Sequence, residues 1–252
     1  MKSRAEVMLE TVRKAGALAL SMSAQELEVR SKAVNDFVTQ ADAALEALIR
    51  REVLSAFPED GFFGEEGGVT ASRDGFQWVV DPIDGTVNYM NGFPGWTVSV
   101  AVQRDGVTEC AAVYNPFFDE LYHATREDGA RLNGRRISAT QLPLEHTVAL
   151  VVPPHRFHDL LDSFWDDERK IYPLVSDTRS IGSAALSCCQ VAAGRAGLYY
   201  EWGLHQYDIA EGLFIAQMAG CLVNTRARQD DMTDVAVFSS AYRGILDGVF
   251  FK

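Results

Sequence analysis

Between Arg4 and Met22 the apolar positions Met8, Leu9, Val12, Ala15, Ala19 and Met22 recur at the three-to-four-residue spacing of one helix face, so the pattern predicts an opening amphipathic helix. A second such pattern follows the stretch NDFVTQAD. Here Leu45, Leu48, Ile49 and Leu54 share a face up to Phe57-Pro58, where proline cannot continue a helix. From about Trp78 the period shortens to two. QWVV, WTVSVAVQ, TECAAVYN and DELYHATR read as strands, with Asp105-Gly106 and Asp128-Gly129 as turns between them, which predicts a largely antiparallel sheet. After the turn-rich LNGRRISATQLPLEH the order alternates. Strand TVALVV, a helix near residues 156–166, strand IYPLV, a helix near 183–194, strand LYYEW, a helix near 209–219, then CLVN and VAVF together predict an α/β arrangement. A composition shift near Leu142-Pro143 divides the chain into an N-terminal α+β half, residues 1–142, and a C-terminal α/β half, residues 143–252, expected to pack as one unit.

Composition narrows the function classes. The 252 residues, 47% hydrophobic and 23% charged, suffice for a substantial core. A formal charge of −12 disfavours direct binding to nucleic acid or to anionic membranes, which rely on clustered Lys and Arg. An acidic chain can still take a phosphate if metal ions supply positive charge. The start, MKSRAEVMLE, lacks the apolar core of a secretory signal, and no later run approaches a membrane span, so a cytoplasmic protein is expected. Cys110, Cys188, Cys189 and Cys221 form no CxxC pair and are expected to be reduced and mostly buried.

The candidate chemistry centres on WVVDPIDGTVNYMNGFPGW, residues 78–96. Asp81 and Asp84 flank Pro82-Ile83 at a strand end, where both carboxylates and the Ile83 carbonyl can turn toward one point, a donor set that suits Mg²⁺. The same residues also fit an ordinary turn, with Asp81 capping it and Asp84 in a D-G pair. Gly85-Thr86 adds a close backbone approach and N–H groups opening a helical turn, a plausible anion cradle. Glu65 and Glu66 lie in a glycine-flanked loop, FFGEEGG, where an exposed acidic pair is ordinarily a solvated turn. Asp208, in HQYDIAEG, is a further ligand or a helix cap, and Asp42, in TQAD, fits a capping box with Thr39.

VTQAD, GEE, WVVDPIDGTVNYMNGFP and YYEWGLHQYDIAEG together resemble, in order and spacing, the signatures of the Mg²⁺-dependent, lithium-sensitive inositol monophosphatase family, over residues of about 32 to 221. The resemblance implies the layered α-β-α-β-α sandwich that this family shares with fructose-1,6-bisphosphatase. It also implies two to three Mg²⁺ per subunit, one held by Glu65, Asp81 and the Ile83 carbonyl and one by Asp81, Asp84 and Asp208. Thr86, oriented by Asp42, would position and help deprotonate the attacking water, the Gly85 and Thr86 N–H groups would hold the phosphate, and Glu65 would take part in catalysis. Gly182, Ser183, Ala184 and Glu201 would contact the alcohol part of the substrate, and Asp208 would touch the substrate as well as the metal. The implied reaction is hydrolysis of a small phosphate monoester, foremost myo-inositol 1-phosphate, by a homodimer. Fructose 1,6-bisphosphate, NADP, histidinol phosphate and phosphoadenosine phosphate are the alternatives.

Two residues depart from the family pattern. Tyr207 stands in place of tryptophan before the aspartate, and Glu211 in place of a small residue one helical turn after Asp208, facing either the site or solvent. Two rival functions also fit parts of the sequence. Cys189 and Arg195 fit the C-x5-R spacing of thiolate phosphatases, though within a small-residue helical pattern that lacks their glycine-rich loop. Relatives of this family also act as regulatory partners of the transcription machinery, which leaves open a binding role without turnover.

Overall fold

A computed structural model describes residues 2–23, 29–33, 36–154, 157–228 and 231–250. The chain runs through α1 (Arg4–Ser23), β1 (Val29–Ala33), β2 (Asp36–Thr39), α2 (Gln40–Ala56), β3 (Gly61–Gly64), β4 (Gly68–Thr70), β5 (Phe76–Asp84) and α3 (Thr86–Met90). It continues through β6 (Thr97–Arg104), β7 (Val107–Asn115), β8 (Glu120–Thr125), β9 (Gly129–Leu132) and β10 (Arg135–Arg136). The remainder is β11 (Val148–Val152), α4 (Leu161–Ile171), β12 (Asp177–Arg179), α5 (Ala184–Ala192), β13 (Leu198–Leu204), α6 (Gln206–Met218), β14 (Cys221–Ala227) and β15 (Thr233–Ser239). Both opening helices fall where the helical period placed them, and α2 stops at Phe57 as expected.

Eight strands form one sheet in the order β10-β9-β8-β7-β6-β5-β3-β4, antiparallel except for the parallel β3–β5 pair. Five form a second, mixed sheet, β12-β11-β13-β15-β14. The pleat of β5 explains how the layers stack, because successive side chains alternate faces. Trp78 and Val80 pack with Val12, Leu45 and Ile49 of α1 and α2, whereas Val79 on the opposite face packs with Ala185, Cys188 and Ile215 of α5 and α6. On β13, Tyr199 joins that same central cluster, while Leu198, Tyr200 and Trp202 turn outward to Phe164 and Ile171 of α4. Helices, sheet, helices, sheet and helix therefore follow one another as the expected α-β-α-β-α sandwich. At the outer edge, Asp60 fastens the first helix to β5, since its carboxylate accepts from the Arg4 guanidinium at 2.6 and 2.8 Å and from the Trp78 indole at 2.7 Å.

Two expectations in the second half need correction. IYPLV is not a strand: it forms the end of α4 and a 3-10 turn over Tyr172–Leu174, and the edge strand is β12 instead. The helix placed near 156–166 starts later, as a 3-10 turn over His158–Leu160 running into α4, and residue 156 lies outside the described residues. The FFGEEGG segment, read as a loop, spans the β3–β4 hairpin, with residues 65–67 as its tight turn.

Candidate active site

The ends of four elements meet between the two sheets. Alternation along β5 puts Asp81 on the face of Val79, toward the central helices, and alternation along β13 puts Glu201 on the face of Tyr199, toward the same layer from the opposite sheet. The starts of α5 and α6 bring Ser183, Ala184 and Asp208 into that layer. The β5–β6 register shifts between Asp81 and Asp84, and this bulge, centred on the Pro82-Ile83 step, lets both carboxylates leave the ladder on one side.

Asp81 is 2% exposed, and the Ile83 N–H donates to its Oδ1 at 3.0 Å. Its carboxyl is pushed well up, first by burial and then by the carboxylates of Glu65, Asp84, Asp208 and Glu211, with no basic side chain among these dominant influences. Asp84 ties the halves together. It accepts from the Ser183 hydroxyl and from the Ala184 and Ala185 N–H groups at 3.1 and 2.8 Å, and so caps α5 from the other sheet. Burial raises the Asp84 carboxyl, while those donors from Ser183, Ala185 and Ala184 pull it back. Asp208 accepts from the His205 N–H at 2.6 Å as the third residue of α6, which makes it a capping-box carboxylate rather than the N-cap itself.

Thr86 donates its hydroxyl to the Ile83 carbonyl at 3.1 Å. Gly85 has φ +95°, and a Cβ there would lie 3.0 Å from the carbonyl oxygens of both Gly182 and Gly95, so only glycine lets the two loops close on this point. Asp42 completes the capping box read from TQAD: Oδ2 accepts from the Thr39 N–H and hydroxyl, both at 2.7 Å. Its other oxygen is buried without a hydrogen-bond partner, so Asp42 does not bond Thr86 directly. Burial pushes its carboxyl up to about 6 against the Thr39 bonds. Glu201, 4% exposed, accepts from the Tyr199 hydroxyl at 2.5 Å.

Glu211 settles one open alternative, because it is fully buried rather than solvated, and neither carboxyl oxygen has a hydrogen-bond partner. Burial drives its carboxyl well up, and the charges of Asp84 and Asp208 add to that. The C-x5-R pair is a coincidence of spacing. Cys189 is inaccessible, with a thiol pushed well up by burial, and Arg195 is paired with Glu120 at 2.7 Å.

Three positioning residues escaped the sequence reading. Glu46, 4% exposed, accepts from the Glu66 N–H at 2.8 Å, and a Cβ on Gly64 would lie 2.3 Å from its Oε2, so the acidic turn rests on this carboxylate. The signal was present, since an acidic residue one turn after Asp42 sits on the apolar face of α2. Asn88 donates to the Gly95 and Ile181 carbonyls at 2.6 and 2.7 Å and so joins the two halves. Asp234 accepts from the Gly203 N–H at 3.0 Å and from Arg226 and Arg228, holding the irregular end of β13 just beyond Glu201.

Among the described residues no three His, Cys, Asp or Glu side chains close tightly enough to clasp an ion as they stand. Asp84 and Asp208 are drawn aside to backbone N–H groups instead. The donor set nevertheless fits a hard divalent cation: it is all oxygen, Asp81, Asp84 and Asp208 are buried with Glu65 half-buried beside them, and cationic charge is what the dominant neighbours of Asp81 lack.

The family model described as "Inositol monophosphatase family" matches residues 1–247. An inositol-1-monophosphatase of Mesorhizobium japonicum is 39% identical over 90% of this chain and 87% of its own length. A protein of Vibrio cholerae named Nus factor SuhB is 37% identical over 95% of this chain and 91% of its own. The crystal structure of the extragenic suppressor protein suhB from Bartonella henselae superposes with a TM-score of 0.92 at 31% identity, covering 98% of each chain.

Proposed function

Since the chain belongs to the inositol monophosphatase family, we propose that it is a Mg²⁺-dependent phosphatase of small phosphate monoesters, with myo-inositol 1-phosphate as its preferred substrate. The observation that carries this reading is Asp81, buried among the carboxylates of Glu65, Asp84 and Asp208 with no basic side chain among its dominant neighbours. Glu65, Asp81 and the Ile83 carbonyl would hold one ion, and Asp81, Asp84 and Asp208 another. Bound Mg²⁺ supplies the positive charge that makes a water nucleophilic at neutral pH and stabilises a leaving alkoxide.

The chain's own groups do the rest. The β5 bulge fixes the two aspartates side by side, and the Gly85 and Thr86 N–H groups face the phosphate oxygens. Thr86 Oγ1 orients the attacking water. Asp42 Oδ1, buried and without a hydrogen-bond partner, is the acceptor to which the Thr86 hydroxyl turns from the Ile83 carbonyl in the loaded site, and it takes up the proton passed through that hydroxyl. Glu201 accepts hydroxyl hydrogen bonds from the polyol, beside Gly182, Ser183 and Ala184. In this reading residues 1–142 supply the metal ligands other than Asp208, residues 143–252 read the alcohol, and the active species is a cytoplasmic homodimer.

The test is phosphate release from inositol 1-phosphate, fructose 1,6-bisphosphate, histidinol phosphate, NADP and phosphoadenosine phosphate, with Mg²⁺, with added lithium and with EDTA. Lithium-sensitive, EDTA-sensitive preference for inositol 1-phosphate is expected, and preference for another ester would overturn the substrate. The 37% identity to a protein named Nus factor supports a second reading, a binding role in transcription. Absence of turnover on the whole panel would favour that reading.

A further inference from the structure

Glu211 lies on α6 one turn beyond Asp208, a spacing that puts both side chains on one side of the helix. The central layer closes over it completely, and its exposure is 0%. Burial dominates its carboxyl, the Asp84 and Asp208 carboxylates push it further up, and the backbone N–H groups of Glu211 and Ala101, which lie outside hydrogen-bond geometry, pull weakly the other way. Its charge in turn acts on Asp81. Ala101 of β6 faces the same layer as Val79, and its small side chain leaves the room that a glutamate needs. Neither Glu211 oxygen has a hydrogen-bond partner, which is unusual for a buried carboxyl, and its charged neighbours are acidic. A fold does not retain such a group for its own stability, since an apolar residue would serve the core better there.

We propose that Glu211 is a further carboxylate of the cation site, whose negative charge strengthens the hold on the ions assigned to Asp81, Asp84 and Asp208. The proposal rests on the metal-site reading above. It gives a reason for a group this unfavourable in the ion-free core to stand beside the ligands, because a divalent cation bound there would compensate its charge. It also predicts opposite effects on two states of the protein. Removing the carboxyl relieves the burial of an unpartnered acid when no ion is bound and weakens attraction when one is.

The experiment is calorimetric Mg²⁺ titration of wild type, Glu211→Gln, Glu211→Ala and Asp81→Asn, with thermal unfolding of each in EDTA and in saturating Mg²⁺. Both Glu211 variants should bind Mg²⁺ more weakly by about tenfold, the scale of one charge interaction inside a protein. Their midpoints in EDTA should equal or exceed that of wild type, and their Mg²⁺-induced rise should be smaller. Wild-type affinity and an undiminished rise in both variants, with Asp81→Asn binding-deficient, would overturn the role of Glu211 and leave the metal site standing. Failure of wild type itself to bind Mg²⁺ would overturn both. Glu211→Ala, which leaves no polar head in the core, keeps the test decisive if Glu211→Gln folds poorly.

Discussion

Asp42 provides a test of the site that needs neither substrate nor metal. Burial pushes its carboxyl from 3.8 up to about 6, and the bonds from the Thr39 hydroxyl and N–H only partly offset this. The folded state therefore holds the proton more tightly than the unfolded chain. The stability this confers is fully present below the unfolded value of 3.8 and is lost as pH rises through about 6. A shift of roughly two units corresponds to about 3 kcal/mol in total, of which about 2 kcal/mol falls between pH 4 and pH 7. Asp42→Asn keeps a carbonyl oxygen to accept from the Thr39 N–H and cannot ionise. Asp81, Asp84 and Glu211 are pushed in the same direction, but they titrate in both proteins and cancel to first order in the difference. Urea unfolding of both proteins in EDTA should show wild type losing about 2 kcal/mol relative to Asp42→Asn as pH rises from 4 to 7. A difference flat to within about 0.5 kcal/mol would refute the argument that burial leaves Asp42 a proton acceptor near neutrality.

Other consequences are more direct. Glu201→Ala should lower kcat/KM for a polyol phosphate at least about tenfold while changing hydrolysis of a generic aryl phosphate little, because only the former offers hydroxyls to a buried carboxylate; equal losses on both would remove Glu201 from recognition. Gly85→Ala should lower unfolding free energy by about 2–3 kcal/mol, combining the left-handed backbone with contact against two carbonyl oxygens, and an unchanged urea midpoint would show that the loop relaxes around the methyl. Activity should survive iodoacetamide and disappear with EDTA, since the Cys110, Cys188, Cys189 and Cys221 thiols are free but buried; the reverse pattern would revive thiolate chemistry.

What the sequence made legible follows from where each element sits in the sandwich. The helices α1 and α2 cover one side of one sheet, so each shows a clean apolar stripe, and Asp42 and the Asp81–Thr86 run lie at element ends marked by capping and turn residues. IYPLV misled because an apolar run of five residues with β-branched ends suits a strand and a helix terminus equally, and the deciding packing, Ile171 of α4 in one cluster with Tyr200 of β13, joins distant segments. The central helices carry the larger ambiguity. With α5 and α6 packed between two sheets, only a narrow stripe of α6 through Tyr207, Ala210 and Leu213 to Gln217 stays partly exposed, too weak a period for an acidic residue on α6 to be read as exposed or inward. Packing between the sheets, with Ala101 of β6 next to it, turns Glu211 from a surface charge into a buried one near Asp208. The alternation that made β5 and β13 readable then completes the inference. Asp81 and Glu201 are committed to the central layer by the pleat, so any acidic residue that α6 buries near its start must share that layer with them. A concentration of buried negative charge that no local pattern could announce is thus a consequence of stacking two legible sheets on one illegible helical layer.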